Sequence, residues 1–255
     1  MLRYEVTGSS AAVAVVTLDR PAARNALTNG LIAELKAAMA RADADPAIAA
    51  VVLTGADPAF CAGMDLREMG RDGMPTEDLD EGGAQWWAPI SKPVIGAING
   101  AAVTGGLELA LACDLLVGSD RARFADTHAR VGLIPGAGLT VHLPAAIGLR
   151  RAKEWSLTGR FVGAAEALEA GLLTRVVSHD ELLPTAVAMG DDVASCDQPT
   201  ARELKALYDD VSLLPADRGR ALEGVRAAQW AAHHGDAGSI ESRRESVIAR
   251  GRSLQ

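Results

Sequence analysis

Short apolar runs rich in β-branched and small residues, separated by stretches with helical spacing, recur through the first half of the chain and limit what it can fold into. Residues 12–18 read AVAVVTL, residues 49–53 read AAVVL and residues 93–99 read PVIGAIN. Each is short and lacks polar alternation, which suits a strand buried on both faces. Between the first two, Thr28 offers a helix cap, and Leu31, Leu35 and Met39 recur on one helical face. A helix is expected over residues 106–113 and a returning strand over 115–118. This order requires crossover connections and predicts an α/β domain.

The pattern changes after about Gly148. Helices are expected over 150–158, 163–170, 181–194, 200–209 and 218–232, and only 174–177 reads as a strand there. The linker candidate is 195–199. We therefore expect an α/β core over 1–195 and a helical C-terminal region over 196–255. The loop 71–83 is rich in Gly, Asp, Glu and Pro and is expected to be mobile.

Composition narrows the function classes. A net charge of -8 with no basic run argues against a nucleic-acid partner. It leaves room for an anionic ligand, because a few Arg side chains and helix N-termini hold phosphates on an acidic protein. The three cysteines, Cys61, Cys113 and Cys196, are odd in number, far apart and without metal-ligand spacing. They fit a reduced, cytoplasmic protein with no metal site. The N-terminal MLRYEVTGSS does not read as a signal peptide. No run reaches the roughly 18 apolar residues that a membrane span needs.

Three segments carry chemistry. Residues 60–66 read FCAGMDL, residues 99–108 read NGAAVTGGLE, and residues 124–128 read FADTH, leading into GLIPGAG at 132–138. Gly105 and Gly106 allow a sharp turn and close approach of backbone to ligand. Glu108 falls in the first turn of the helix that follows. Read alone, each segment is an ordinary glycine turn, with an acid that complements a helix N-terminus.

In their order and context these segments resemble the crotonase family, also called the enoyl-CoA hydratase/isomerase family. The resemblance runs from about Val13 to about Val177. It rests on Asp19-Arg20-Pro21, Asn25-Ala26-Leu27, FCAGMDL, Lys92-Pro93-Val94-Ile95, Asn99-Gly100, Gly105-Gly106-Leu107-Glu108, GLIPGAG and Thr158-Gly159-Arg160. It implies a spiral of ββα units, a homotrimer or dimer of trimers, and an acyl-CoA thioester as substrate. Coenzyme A would arrive as part of that substrate, with no tightly bound cofactor. The resemblance places an oxyanion hole at the backbone N–H groups of Met64 and Gly105. Such donors stabilise the negative charge that develops on a thioester carbonyl. It makes Glu108 a catalytic carboxylate. It assigns Arg24, Ala62, Asp65, Leu66 and Arg67 to substrate and CoA binding. Trp86 and Trp87 fall in the segment that shapes the acyl pocket in relatives, or else are large core side chains.

Two departures from the family pattern matter. The second catalytic carboxylate of the hydratases should fall where His128 stands. Imidazole can still relay a proton, with an ordinary pKa of about 6.5. Asp126 is a third candidate without an assigned role. The C-terminus, Ile240-Glu241-Ser242-Arg243-Arg244-Glu245 and onward, also lacks the acidic-Gly-aromatic helix that closes over CoA in many relatives. The leading expectation is hydration of 2-enoyl-CoA, with Glu108 activating water and His128 supplying the Cα proton. The alternatives are Δ3-Δ2 enoyl-CoA isomerisation, decarboxylation or thioester hydrolysis on the same oxyanion hole, and a non-catalytic acyl-CoA binding protein.

Overall fold

The computed structural model describes residues 1–9, 12–73, 85–212, 214–234, 244, 247–249 and 251–252, without the side chain of Asp72. Beyond Gly73 the loop expected at 71–83 lies outside the described residues, as does most of the divergent C-terminal run. The chain forms two compact units, Met1–Arg202 and Glu203–Gln255.

The first unit opens with β1 (Leu2–Thr7), β2 (Val13–Leu18), α1 (Asn29–Ala44), β3 (Ala50–Gly55), β4 (Ala59–Cys61) and α2 (Leu66–Asp72). It continues with β5 (Val94–Ile98), β6 (Ala101–Val103), α3 (Gly105–Leu111), β7 (Leu115–Ser119), β8 (Arg123–Ala125) and α4 (His128–Val131). Then follow α5 (Leu139–Ile147), α6 (Leu149–Thr158), β9 (Val162–Gly163), α7 (Ala164–Ala170), β10 (Arg175–Val177) and α8 (Leu182–Ala194). Three successive windings thus repeat one unit: a strand of a large sheet, a short strand of a second sheet, then a helix. The large sheet has order β1-β2-β3-β5-β7-β10 and the second has order β4-β6-β8-β9. Apart from the antiparallel pairs β1·β2 and β8·β9, the strands run parallel. This is the expected spiral of ββα units.

The inner strands β2, β3 and β5 are buried on both faces, which explains their apolar runs. Along β2, Ala14, Val16 and Leu18 enter the main core. Val13 and Val15 face the other way and join Val52, Ile95, Ala97 and Val117 with Leu182 and Ala186 of α8. Thr28 caps α1 by accepting from the Leu31 amide at 3.1 Å, and Leu31, Leu35 and Met39 are buried as their spacing predicts. Lys92 is wholly buried at the other end of that helix. Its ammonium donates to the Ala42 carbonyl at 2.5 Å and to the Asp45 carbonyl, satisfying helix-end acceptors. Trp86 and Trp87 lie in the main core as buried bulk.

Sequence reading left several elements out. The strands of the second sheet span two or three residues each, and β9 adds a strand to the region where only 174–177 was expected. In the second unit, α10 (Ala216–His234) is tied to the preceding helix, α9 (Gln198–Ser212), through Arg226. Its guanidinium bonds Glu203 at 2.6 Å and Asp210 at 2.7 Å.

Candidate active site

Two backbone turns meet at the site. Leu27 bridges Met64: the Leu27 amide donates to the Gly63 carbonyl, and the Asp65 amide donates to the Leu27 carbonyl, both at 2.8 Å. Backbone groups alternate in direction along an extended segment, so the Met64 N–H faces away from Leu27. On that side lies the start of α3. A Cβ built on Gly105 would sit 3.5 Å from the Met64 nitrogen. Gly105 is the first residue of the helix, where an N–H has no intrahelical acceptor. The Met64 and Gly105 amides therefore stand side by side.

This approach depends on two glycines. Gly63 has φ +91, and a Cβ there would come within 2.8 Å of the Val103 carbonyl oxygen. A Cβ on Gly106 would lie 2.1 Å from the Cys61 carbonyl oxygen, so α3 starts with its backbone against the end of β4. Asp65 and Arg20 brace the first turn. The Asp65 carboxylate caps α2 by accepting from the Arg67 and Glu68 amides, and it pairs with Arg20 at 3.1 Å. The Arg20 hydrogen bond, with the two amides adding to it, holds the Asp65 carboxyl below its ordinary range.

Glu108 lies one helical turn beyond Gly105, on the same face of α3, with its side chain leaning back toward the helix N-terminus. It is 4% exposed. Oε1 accepts from the Ala137 amide at 2.9 Å, and Oε2 lies 3.7 Å from His128 Nε2. Burial pushes its carboxyl above the usual range, although the Ala137 amide and the His128 ring pull it back in part. His128 begins α4 and is buried as well. Its Nδ1 lies 2.7 Å from Asp126 Oδ1. Asp126, following β8, is 2% exposed. Burial alone would raise its carboxyl, yet hydrogen bonds with His128 and Ser156 hold it below the ordinary value. The result is a buried row of carboxylate, imidazole and carboxylate beside the two amides. Such a row can accept, store and return a proton next to a carbonyl group.

The enoyl-CoA hydratase/isomerase family model matches residues 8–241. The chain belongs to the enoyl-CoA hydratase/isomerase family. It is 47% identical to enoyl-CoA hydratase from Mycobacterium tuberculosis H37Rv, whose crystal structure superposes with a TM-score of 0.76 over 90% of this chain and 98% of that one. Enoyl-CoA hydratase from Bacillus anthracis is 30% identical, with a TM-score of 0.83 over 96% of each chain. Mitochondrial enoyl-CoA hydratase of Pongo abelii is 39% identical over 195 residues, which is 75% of this chain and 67% of that protein.

In this member of the enoyl-CoA hydratase/isomerase family, the residues expected to bind CoA gather beside the Met64 turn. The Ala62 amide donates to the Arg24 carbonyl at 3.0 Å, which places these two together. Arg24, Leu66 and Arg67 are exposed, with Leu66 at 59%. Asp65 differs in kind, since its carboxylate is occupied by the α2 cap and by Arg20. Ser156 and the Ala137 amide were absent from the sequence reading, and Asp126 entered it without a role. The Asp-x-His spacing was visible, but a spacing of two does not say which way a loop side chain points.

Proposed function

We propose that this enzyme hydrates 2-enoyl-CoA thioesters to 3-hydroxyacyl-CoA. The observation that carries the reading is the buried Glu108 carboxylate facing His128 Nε2 at 3.7 Å, one helical turn from the paired Met64 and Gly105 amides. The thioester oxygen lies between the two N–H groups, which strengthen their hold as the enolate forms. Glu108 takes a proton from water as the water oxygen bonds to Cβ. Its raised pKa makes it the stronger base for that step. The π electrons of the Cα=Cβ bond move onto the carbonyl oxygen. They return as Cα takes a proton from His128 Nε2. Glu108 has then gained a proton and His128 has lost one. A small approach across the 3.7 Å separation passes the proton back and resets the site. At that length the two atoms share no ordinary hydrogen bond, so each remains able to bond to substrate or water.

Arg24, Ala62, Leu66 and Arg67 form the rim that receives the CoA portion, with the Arg side chains toward its phosphates. Asp65 supports this rim through its cap and its pair with Arg20. Coenzyme A is a portion of the substrate, and no tightly bound cofactor takes part. We place the protein in the cytoplasm as a homotrimer or dimer of trimers. Its cysteines Cys61, Cys113 and Cys196 are unpaired, and among the described residues no helix is long and apolar enough to cross a membrane.

Short, medium and long 2-enoyl-CoA and 3-enoyl-CoA substrates test the reading. Hydration removes the absorbance of the conjugated thioester. A gain of absorbance from 3-enoyl-CoA without loss from 2-enoyl-CoA makes the enzyme an isomerase. Binding without either change makes it an acyl-CoA binding protein.

A further inference from the structure

We propose that Asp126 is a positioning residue that fixes the His128 ring as the Nδ1–H tautomer, leaving Nε2 as the atom that exchanges a proton with substrate. The proposal rests on the catalytic reading of His128 given above, and it assigns the His its tautomer and its anchor.

The anchor is held independently of the ring. Asp126 Oδ1 accepts from the His128 main-chain amide at 3.1 Å, while ring Nδ1 lies 2.7 Å from the same oxygen. Ser156 of α6 adds a side-chain hydrogen bond to the carboxylate. Asp126 thus joins the loop after β8 to the start of α4 and to α6. An ionised carboxylate only accepts hydrogen bonds, so the ring nitrogen facing it must carry the hydrogen. In the neutral ring Nε2 is then bare, and in the imidazolium it carries the mobile proton. Nε2 is also the nitrogen that faces Glu108 Oε2.

The surrounding charges support the same assignment. Among the described residues, the charged groups shown against the ring are Asp126 beside Nδ1 and Glu108 of α3 beside Nε2. Arg130, also on α4, turns away to the Gly159 carbonyl at 3.1 Å and to the Thr158 carbonyl. The start of α5 offers Glu108 backbone amides, from Ala137 and Leu139, and no charge. The imidazolium therefore lies between two carboxylates.

Asp126→Ala tests the assignment, because it removes the acceptor shared by Nδ1–H and the His128 main-chain amide and leaves the ring to the Nε2–H form that an unanchored neutral imidazole prefers. We expect kcat to fall roughly 10²–10⁴-fold, with KM within about threefold of wild type. Loss of the carboxylate should move the limb of the pH–rate profile that His128→Gln abolishes toward lower pH. Nitrogen-15 NMR of the ring should show Nδ1–H in the neutral wild-type enzyme and mainly Nε2–H in Asp126→Ala. A folded variant with lower kcat, but with the wild-type tautomer and pH profile, would make Asp126 merely structural and overturn the proposal. Wild-type turnover in that variant would overturn it too. Should Asp126→Ala not fold, Ser156→Ala removes a bond to the carboxylate without touching the ring. It should cost about 10-fold in kcat and move the same limb in the same direction. An unmoved limb there, or Nε2–H in the neutral wild-type ring, refutes the proposal. The tautomer is read without turnover. A wild-type protein inert toward every 2-enoyl-CoA yet showing Nδ1–H would therefore strike the proposed reaction and leave the positioning role standing.

Discussion

Glu108 is almost wholly out of water, with one oxygen on the Ala137 amide and the other turned toward His128. Burial raises its carboxyl above the ordinary range, so the proton-bound form is the one that folding favours. Its contribution to stability is complete below the unfolded carboxylate range and is lost as pH rises through the elevated native value. Glu108→Gln removes that loss and keeps the shape. The variant should unfold at a higher temperature than wild type near neutral pH, with the gap closing toward acid pH. Its kcat should nevertheless fall roughly 10²–10⁴-fold. Calorimetry across pH beside a turnover assay checks both statements. An unchanged kcat would remove Glu108 from the chemistry, and an equal melting temperature at neutral pH would deny the cost of its burial. Glu108 and His128 were legible in the sequence because glycines and a motif fix their surroundings. The work of Asp126 was not, since it depends on a rotamer, on Ser156 thirty positions away, and on the orientation of a ring.

Between the elements, Thr104 carries the strain. This β-branched residue sits at φ 54 and ψ -111, a region that side chains of its kind avoid. Its hydroxyl holds it there, accepting from the Thr127 amide at 3.1 Å and pairing with the Thr127 hydroxyl at 2.5 Å. The link ties the start of α3, which carries Gly105 and Glu108, to the segment that leads into His128. Thr104→Val keeps the branch and the strain but removes the hydroxyl, and should destabilise by about 1–3 kcal/mol. Thr104→Gly loses the same bonds but relieves the strain, and should cost less than Thr104→Val. Urea denaturation ranks the two, and the reverse order contradicts this account. The parts of the fold that the sequence displayed are those with long, two-sided burial. The runs of β2, β3, β5 and β7 are largely apolar because these strands are buried on both faces. The strands AFC, AAV and RFA are too short to show a period, so they became visible only as neighbours of one another. Pro144 interrupts the helical pattern of α5, which hid that helix. For β1 the signal was present: Leu2 and Tyr4 pack on the core, while Arg3 pairs with Asp19 at the surface.

At the scale of the whole molecule, the described part of α9 buries no residue, and α10 buries only Gly219. Leu204 and Tyr208 of α9 and Val225 of α10 are left exposed, as is Leu214 between the two helices. Apolar side chains on helices that bury so little would be covered in the homotrimer or dimer of trimers proposed above. Light scattering coupled to gel filtration should give the mass of a trimer or a hexamer, and a stable monomer at micromolar concentration would contradict this. The spiral has one more consequence, which concerns time. Met64 comes from the first ββα winding, Gly105 and Glu108 from the second, and Asp126 and His128 from the third. No single winding contains a working set, and parallel pairing across long crossovers forms slowly. When the protein is diluted out of urea, helical content should therefore return before turnover does. A refolding experiment that follows far-ultraviolet dichroism and activity together would show the lag. Simultaneous recovery would mean that the windings lock as one.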